Sequence, residues 1–227
     1  MDQRSPIAPL PTDTSATHRA YAALRRMIVV GEVRPGEKLK IDTLRDRLVT
    51  GASPIREALS LLTSDQLVER IDQRGFRAAP ISLQNFQEIL NLRCSLEDMA
   101  LRQSLEAATD VWEEELVLSH HRMVREKSTQ IEAFEDLHKS FHMNLLSNSG
   151  SPILLKFCSQ LYDLNIRYRF LAGTSSRYQK RDVTQEHEDI LKAAIERDAD
   201  AASRALLNHY RKTGAFLTEK FASAFAG

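Results

Sequence analysis

Beyond Pro80 the chain carries a single proline, Pro152, in all that remains of its 227 residues. Proline interrupts a helix because it lacks an amide hydrogen and its ring clashes with the preceding turn. A long stretch nearly free of it, and poor in glycine, can therefore build one helix after another. Apolar residues at helical spacing fill that stretch in six segments, 82–107, 110–127, 131–148, 151–172, 180–197 and 199–224. The breaks fall at Ala108-Thr109-Asp110, Ser128-Thr129, Ser149-Gly150-Ser151-Pro152 and Gly173-Thr174-Ser175-Ser176. With no strand pattern among them, the spacing predicts an all-α helical bundle over 81–227.

The first 80 residues read differently. Residues 1–17 carry Pro, Ser and Thr without an apolar core and are expected to form a flexible tail. From Tyr21, the stripe Tyr21, Leu24, Met27 and Ile28 marks a helix that stops at Gly31, and Val33-Arg34-Pro35-Gly36 is a turn. A second helix is expected over Ile41–Leu48. After the break at Thr50-Gly51-Ala52, Ser53 is expected to cap a third helix, with Pro54 as its first residue and Ile55, Ala58, Leu59 and Leu62 facing inward. The alternation in 67–71, the turn at Asp72-Gln73-Arg74-Gly75 and the run 76–80 predict a β-hairpin. Helix, helix, tight turn, helix and hairpin is the order of a winged helix-turn-helix, expected over 18–80.

Composition limits the function classes. Net charge is zero, yet residues 1–80 hold 13 Lys+Arg against 10 Asp+Glu, and the remainder 18 against 21. The lean is toward a polyanionic partner for the first part. Cys94 and Cys158 stand alone, so neither a disulfide framework nor a thiolate zinc site is expected, and a reducing cytoplasm is the natural compartment. No apolar run has the length of a membrane span.

Four histidines stand out in the helical part. His138 and His142 are four apart, so both imidazoles emerge from one helix face, as two ligands of one ion require. His187 and His209 fall on two further helices, whereas His18, His120 and His121 are expected to be ordinary surface or core residues. Imidazole donors suit zinc first, with nickel or another late first-row divalent ion as alternatives.

The stretch Leu24–Pro80 resembles the DNA-binding domain of the GntR superfamily, on Gly31, Pro35-Gly36, Leu39, Leu44, Ser53-Pro54-Ile55-Arg56-Glu57-Ala58-Leu59, Leu67-Val68 and Arg74-Gly75-Phe76. The remainder resembles the FCD effector domain of the FadR subfamily, on Leu92-Arg93, Leu96-Glu97, His138-x-x-Phe141-His142, Gly150-Ser151-Pro152, Glu186-His187 and His209. Where the family commonly has Ser-Arg-Thr before the proline, this chain has Gly51-Ala52-Ser53, similar to a subgroup that includes a carbon-starvation-induced regulator.

What the resemblance implies is a DNA-binding transcription regulator, expected to be a repressor, acting as a homodimer on a palindromic double-stranded operator. Arg56, near the start of the recognition helix, is the candidate for reading a guanine edge. Ser53 and Pro54 shape that end, Arg74 beside Gly75 forms the wing tip, and Arg45 and Arg47 are candidate phosphate contacts. His142, His187 and His209 match the family's metal-ligating histidines, and His138 stands where many members have Asp. Arg93 matches a position near the ligand, a small organic acid, although its carboxylate partner could equally be Glu97 one turn on. Arg167 and Arg169 are further candidates for ligand binding. The rivals are a regulator for which the ion itself is the signal, and a metallohydrolase. The second is disfavoured because no general base is marked and the winged domain would be left unexplained.

Overall fold

A computed structural model of the chain describes residues 15–126, 131–172 and 182–225. The expected breaks at Ser128-Thr129 and at Gly173–Ser176, and most of the expected tail, lie outside the described residues. Two compact units are present. One comprises residues up to Met27 together with Gly36–Ala79; the other comprises Ile28–Pro35 and the chain from Pro80 onward.

The first unit is a winged helix-turn-helix. Helices α1 (Ala16–Val29), α2 (Ile41–Leu48) and α3 (Ala52–Ser64) accompany three short strands, β1 (Lys38–Leu39), β2 (Val68–Ile71) and β3 (Gly75–Ala78). Leu24, Leu44, Ile55, Ala58, Leu59, Leu62 and Leu67 are buried in its core, which includes all four residues expected to face inward from the third helix. The sheet runs β1-β3-β2, antiparallel throughout, so β3 is central. Strand β1 was not foreseeable, because two residues are too short to show alternation. It is aligned by Gly36, whose φ of +77° suits a residue without a side chain and whose amide donates to the Ala78 carbonyl at 3.0 Å.

Helix α3 begins two residues earlier than expected. Gly51, not Ser53, holds the cap position, and the first intrahelical bond runs from the Ile55 amide to the Gly51 carbonyl. Ser53 and Pro54 both lie within the first turn, where no amide has an intrahelical acceptor and proline forfeits nothing. The Ser53 hydroxyl donates to Glu57 at 3.3 Å rather than capping the helix. Between α2 and α3 the chain turns through Val49, a β-branched residue held at φ +48° and 91% exposed.

The second unit is all helical: α4 (Leu83–Glu106), α5 (Asp110–Arg125), α6 (Ile131–Leu146), α7 (Pro152–Ala172), α8 (Val183–Ile195) and α9 (Ala199–Phe225). The boundaries follow from side-chain caps. Ser82, Thr109 and Asp182 accept from the amides of Asn85, Trp112 and Gln185, and Ser151 and Asp198 accept from those of Leu154 and Ala201. Each such cap contributes about 1 kcal/mol. Phe141, Leu145, Leu116, Leu101, Ile190 and Leu206 form the centre of the core. None of the described helices is long and apolar enough to cross a membrane.

Candidate metal centre and nucleic-acid interface

Four-residue spacing places His138 and His142 on one face of α6, while α8 and α9 bring in His187 and His209. All four side chains are buried, and one donor atom from each lies within 4.8 Å of the others. The Nε2 atom of His138 is 3.0 Å from that of His187 and 3.2 Å from that of His142.

The opposite ring nitrogens are engaged outward. His138 Nδ1 lies 2.5 Å from the Tyr162 hydroxyl, and His142 Nδ1 lies 3.0 Å from that of Tyr210. His209 Nδ1 meets Glu186 at 2.9 Å, and His187 bonds the Val183 backbone. With the outer nitrogens carrying the hydrogens, the Nε2 lone pairs face one another. Burial, and then the neighbouring imidazoles, hold His138 and His142 well below the ordinary histidine pKa and push His187 down to about 2. At neutral pH His138, His142 and His187 are therefore uncharged donors.

Such a set fits a divalent ion. Imidazole nitrogens about 2.0–2.1 Å from a common ion sit about 3 Å from their neighbours around it, and the two shortest separations here match that. The absence of cysteine from the cluster, with four imidazole nitrogens, suits zinc, nickel or a similar ion.

Around the histidines lies a ring of charge the sequence did not reveal. Arg93 is buried in the bundle, whereas Leu92 and Met99 are 44% and 47% exposed. One residue along a helix is a rotation of about 100°, so an inward Arg93 turns its neighbour outward. The Arg93 guanidinium binds Glu97 at 2.6 and 3.3 Å and the Asn165 carbonyl at 3.0 Å, between the rings of Tyr210 and Tyr162. Arg169 binds Glu135 at 2.8 Å, and Glu135 lies 3.5 Å from His138 Nδ1. Burial raises the pKa of Glu135 while Arg169 opposes the rise. Arg167 is also buried, but it lies two residues before Arg169, about 200° away around α7. Its charge is perturbed by its own burial and by Tyr168, whereas Arg169 acts on the histidines.

Sequence reasoning missed Glu135, Tyr162 and Tyr210. Glu135, one turn before His138, had a readable spacing; the tyrosines come from α7 and α9 and had none. Of the other histidines, His18 and His121 are exposed and His120 is buried beside the Phe141 ring.

In the winged unit, Ser53, Arg56, Arg74 and Gly75 are exposed. The side chains of Arg56 and Arg74 make no hydrogen bond or ion pair among the described residues. Arg74 stands in the three-residue loop between paired Ile71 and Gly75, and Gly75 takes φ +92°. Arg45 is held by Asp42 at 3.7 Å and Asp46 at 3.3 Å, and Arg47 is exposed nearby.

Comparison with known proteins agrees with both halves. The model of bacterial regulatory proteins of the gntR family matches residues 16–77, and that of the FCD domain matches residues 88–212. The chain is 33% identical over 212 residues to the HTH-type transcriptional regulator BphR of Paraburkholderia xenovorans, spanning 90% of this chain and 86% of that one. It is 29% identical to the HTH-type transcriptional repressor GlaR of Escherichia coli K12, over 83% of this chain and 90% of that one. The solved structure of E. coli McbR/YncC shares the fold at a TM-score of 0.78 and 21% identity, covering 92% of this chain and 99% of that one.

Proposed function

The chain belongs to the bacterial GntR regulators and carries an FCD domain, and from that premise we propose that it is a repressor whose DNA binding answers to a small carboxylate held at a metal site in the helical unit. It is a DNA-binding transcription regulator and not an enzyme. The observation that carries the finer proposal is the convergence of four buried imidazoles, His138, His142 and His187 among them held uncharged by burial. Bare lone pairs 3.0 Å apart in a dry interior repel, and a cation between them removes the cost. A divalent ion there supplies a doubly positive centre that attracts an anion. Arg93 and Arg169 are each held by a glutamate, so an effector that engages either must displace Glu97 or Glu135.

Arg56 reads base edges, Arg74 and Gly75 form the wing contact, and Arg45, Arg47 and Ser53 grip phosphates, on a palindromic operator bound by a homodimer. The exposed apolar residues Leu92 and Met99 of α4 and Ile153 and Phe157 of α7 supply the face on which two copies join. Sedimentation of Phe157→Glu should show monomer; an unchanged dimer moves the interface elsewhere.

The functional test is elemental analysis of purified protein, paired with thermal shifts for mono- and dicarboxylates with and without chelator. Metal near one per chain, and a stabilising acid whose effect vanishes with chelator, are expected. Metal binding that alone changes operator affinity, with no acid present, favours the second reading, in which the ion is the signal. Absence of bound metal after loading with zinc or nickel overturns both.

A further inference from the structure

Two of the four imidazoles sit at the head of matching chains of side chains. His138 Nδ1 contacts Tyr162, whose hydroxyl bonds Glu135, which Arg169 holds. His142 Nδ1 contacts Tyr210, whose hydroxyl donates to Glu97, which Arg93 holds. The order is the same in both: histidine, tyrosine, glutamate, arginine. The members come from different elements, α6 and α7 for the first chain, and α6, α9 and α4 for the second. Local repetition therefore does not account for the match.

We propose that Tyr162 and Tyr210 are positioning residues of the metal site, each passing the negative charge of a buried glutamate to the back of one ligand imidazole. The proposal rests on the metal reading above and deepens it. A tyrosine hydroxyl owns one hydrogen. When that hydrogen goes to a carboxylate, the oxygen can only accept from the imidazole, so the imidazole carries its hydrogen on Nδ1. The Nε2 atom is left bare and turned toward the ion, and a carboxylate one hydrogen bond further back makes it a better donor. Arg169 Nη1 also approaches His138 Nδ1, at 3.5 Å, too far to compete with a hydroxyl at 2.5 Å. The arginines hold each glutamate in place: Arg93 grips both oxygens of Glu97, and Arg169 both oxygens of Glu135.

This arrangement gives meaning to the imidazole of His138. A carboxylate ligand at that position would bring its charge directly to the ion. Here the nearest carboxylate on α6 is Glu135, one turn back, and its charge arrives through Tyr162.

The test is the zinc affinity of the full-length protein and of Tyr162→Phe, Tyr210→Phe and the double variant, by competition with a chromophoric chelator. Nitrogen-15 spectra of the histidines in the metal-free proteins accompany it. Each phenylalanine removes one oxygen and keeps the ring that stacks on Arg93. Zinc affinity is expected to fall about 10-fold or more for each variant and multiplicatively for the double, in line with the usual 10–100-fold cost of losing an outer-sphere partner. The spectra should show His138 and His142 as Nδ1–H tautomers in the wild type, with the preference lost at the matching histidine in each variant. Zinc binding by the wild type with unchanged affinity in both variants overturns the relays and leaves the metal site standing. No zinc or nickel binding by the wild type overturns the metal reading and the proposal with it.

Discussion

Replacing Arg93 by methionine separates a guanidinium that holds the bundle together from one kept for an effector. Arg93 and Glu97 are both buried, joined at 2.6 and 3.3 Å. Methionine fills much of the aliphatic volume but leaves the Glu97 carboxylate without its cation. Breaking a buried pair in this way costs about 3–5 kcal/mol. Loss of the contacts to the rings of Tyr210 and Tyr162 adds roughly 0.5–2 kcal/mol. Glu97→Leu strands the arginine and should cost a similar amount. The double variant removes both charges together. It leaves only Asn165 and the Tyr210 hydroxyl short of partners, a penalty of roughly 1–3 kcal/mol. The cycle should therefore be strongly non-additive, with the double variant more stable than either single one. Urea unfolding of metal-free protein, followed by fluorescence, reads this directly, because the chain's one tryptophan, Trp112, lies buried in the helical unit. Its indole donates to the Asn144 carbonyl at 2.8 Å. A cost below about 1 kcal/mol for Arg93→Met, or simple additivity, would refute the reasoning and return Arg93 to the ligand.

The metal-free helical unit should be acid-labile. Its imidazoles are held below the ordinary pKa, so the unfolded chain binds more protons. The resulting stability is present above about pH 6.5 and lost as pH falls toward the folded values, by about 2 kcal/mol per imidazole between pH 7 and 5. Urea midpoints that stay flat over that range would contradict the burial of neutral histidines. Arg56→Ala should weaken operator binding about 5- to 150-fold while leaving non-specific binding nearly unchanged, since one base-edge contact is worth about 1–3 kcal/mol; equal loss on both DNAs in a gel-shift series would make Arg56 a phosphate contact. Val49→Asn should stabilise the winged unit by about 1 kcal/mol, because φ +48° strains a β-branched side chain and suits asparagine; a lower melting temperature would show that Val49 packs in a way its exposure conceals. Among thermal-shift ligands, a dicarboxylate should stabilise the zinc-loaded protein more than a monocarboxylate of equal length, and the reverse ranking would undo the charge balance set out below.

The helical bundle was legible because its signals are local: sparse proline, apolar spacing, and Ser, Thr or Asp at the starts of α4, α5, α7, α8 and α9. The four histidines were legible for a related reason. Two of them share a helix face, and the resemblance to a known effector domain supplied the other two. What surrounds them was not legible, because it depends on pairings between distant helices. Tyr162 and His138 are 24 residues apart, and Tyr210 and Glu97 are 113 apart; no spacing rule connects them. Arg93 was legible as an inward residue, but its partner was not decided by sequence. Glu97 won because the (i, i+4) geometry delivers both its oxygens to the fork. The start of α3 was misplaced for the opposite reason: a good capping residue, Ser53, was available, yet Gly51 adopts the cap backbone and proline is tolerated anywhere in the first turn.

The neutrality of the inner shell has a consequence for what the site can bind. Among the described residues, carboxylates close behind the histidines are matched by cations: Glu97 by Arg93, Glu135 by Arg169, and Glu186 by Lys212 at 3.2 Å. Burial holds His138, His142 and His187 uncharged at neutral pH. With these pairs closed, a divalent ion entering there would bring its charges largely uncompensated into a buried place. Electron density relayed through Tyr162 and Tyr210 strengthens the donors without changing that balance. A monoanion leaves one charge over, whereas a dianion closes the balance, and in a low-dielectric interior the difference is large. An aspartate at position 138 would have taken up one of those charges beforehand. With a divalent ion bound, an imidazole at position 138 in place of a carboxylate would shift the preferred anion from singly toward doubly charged.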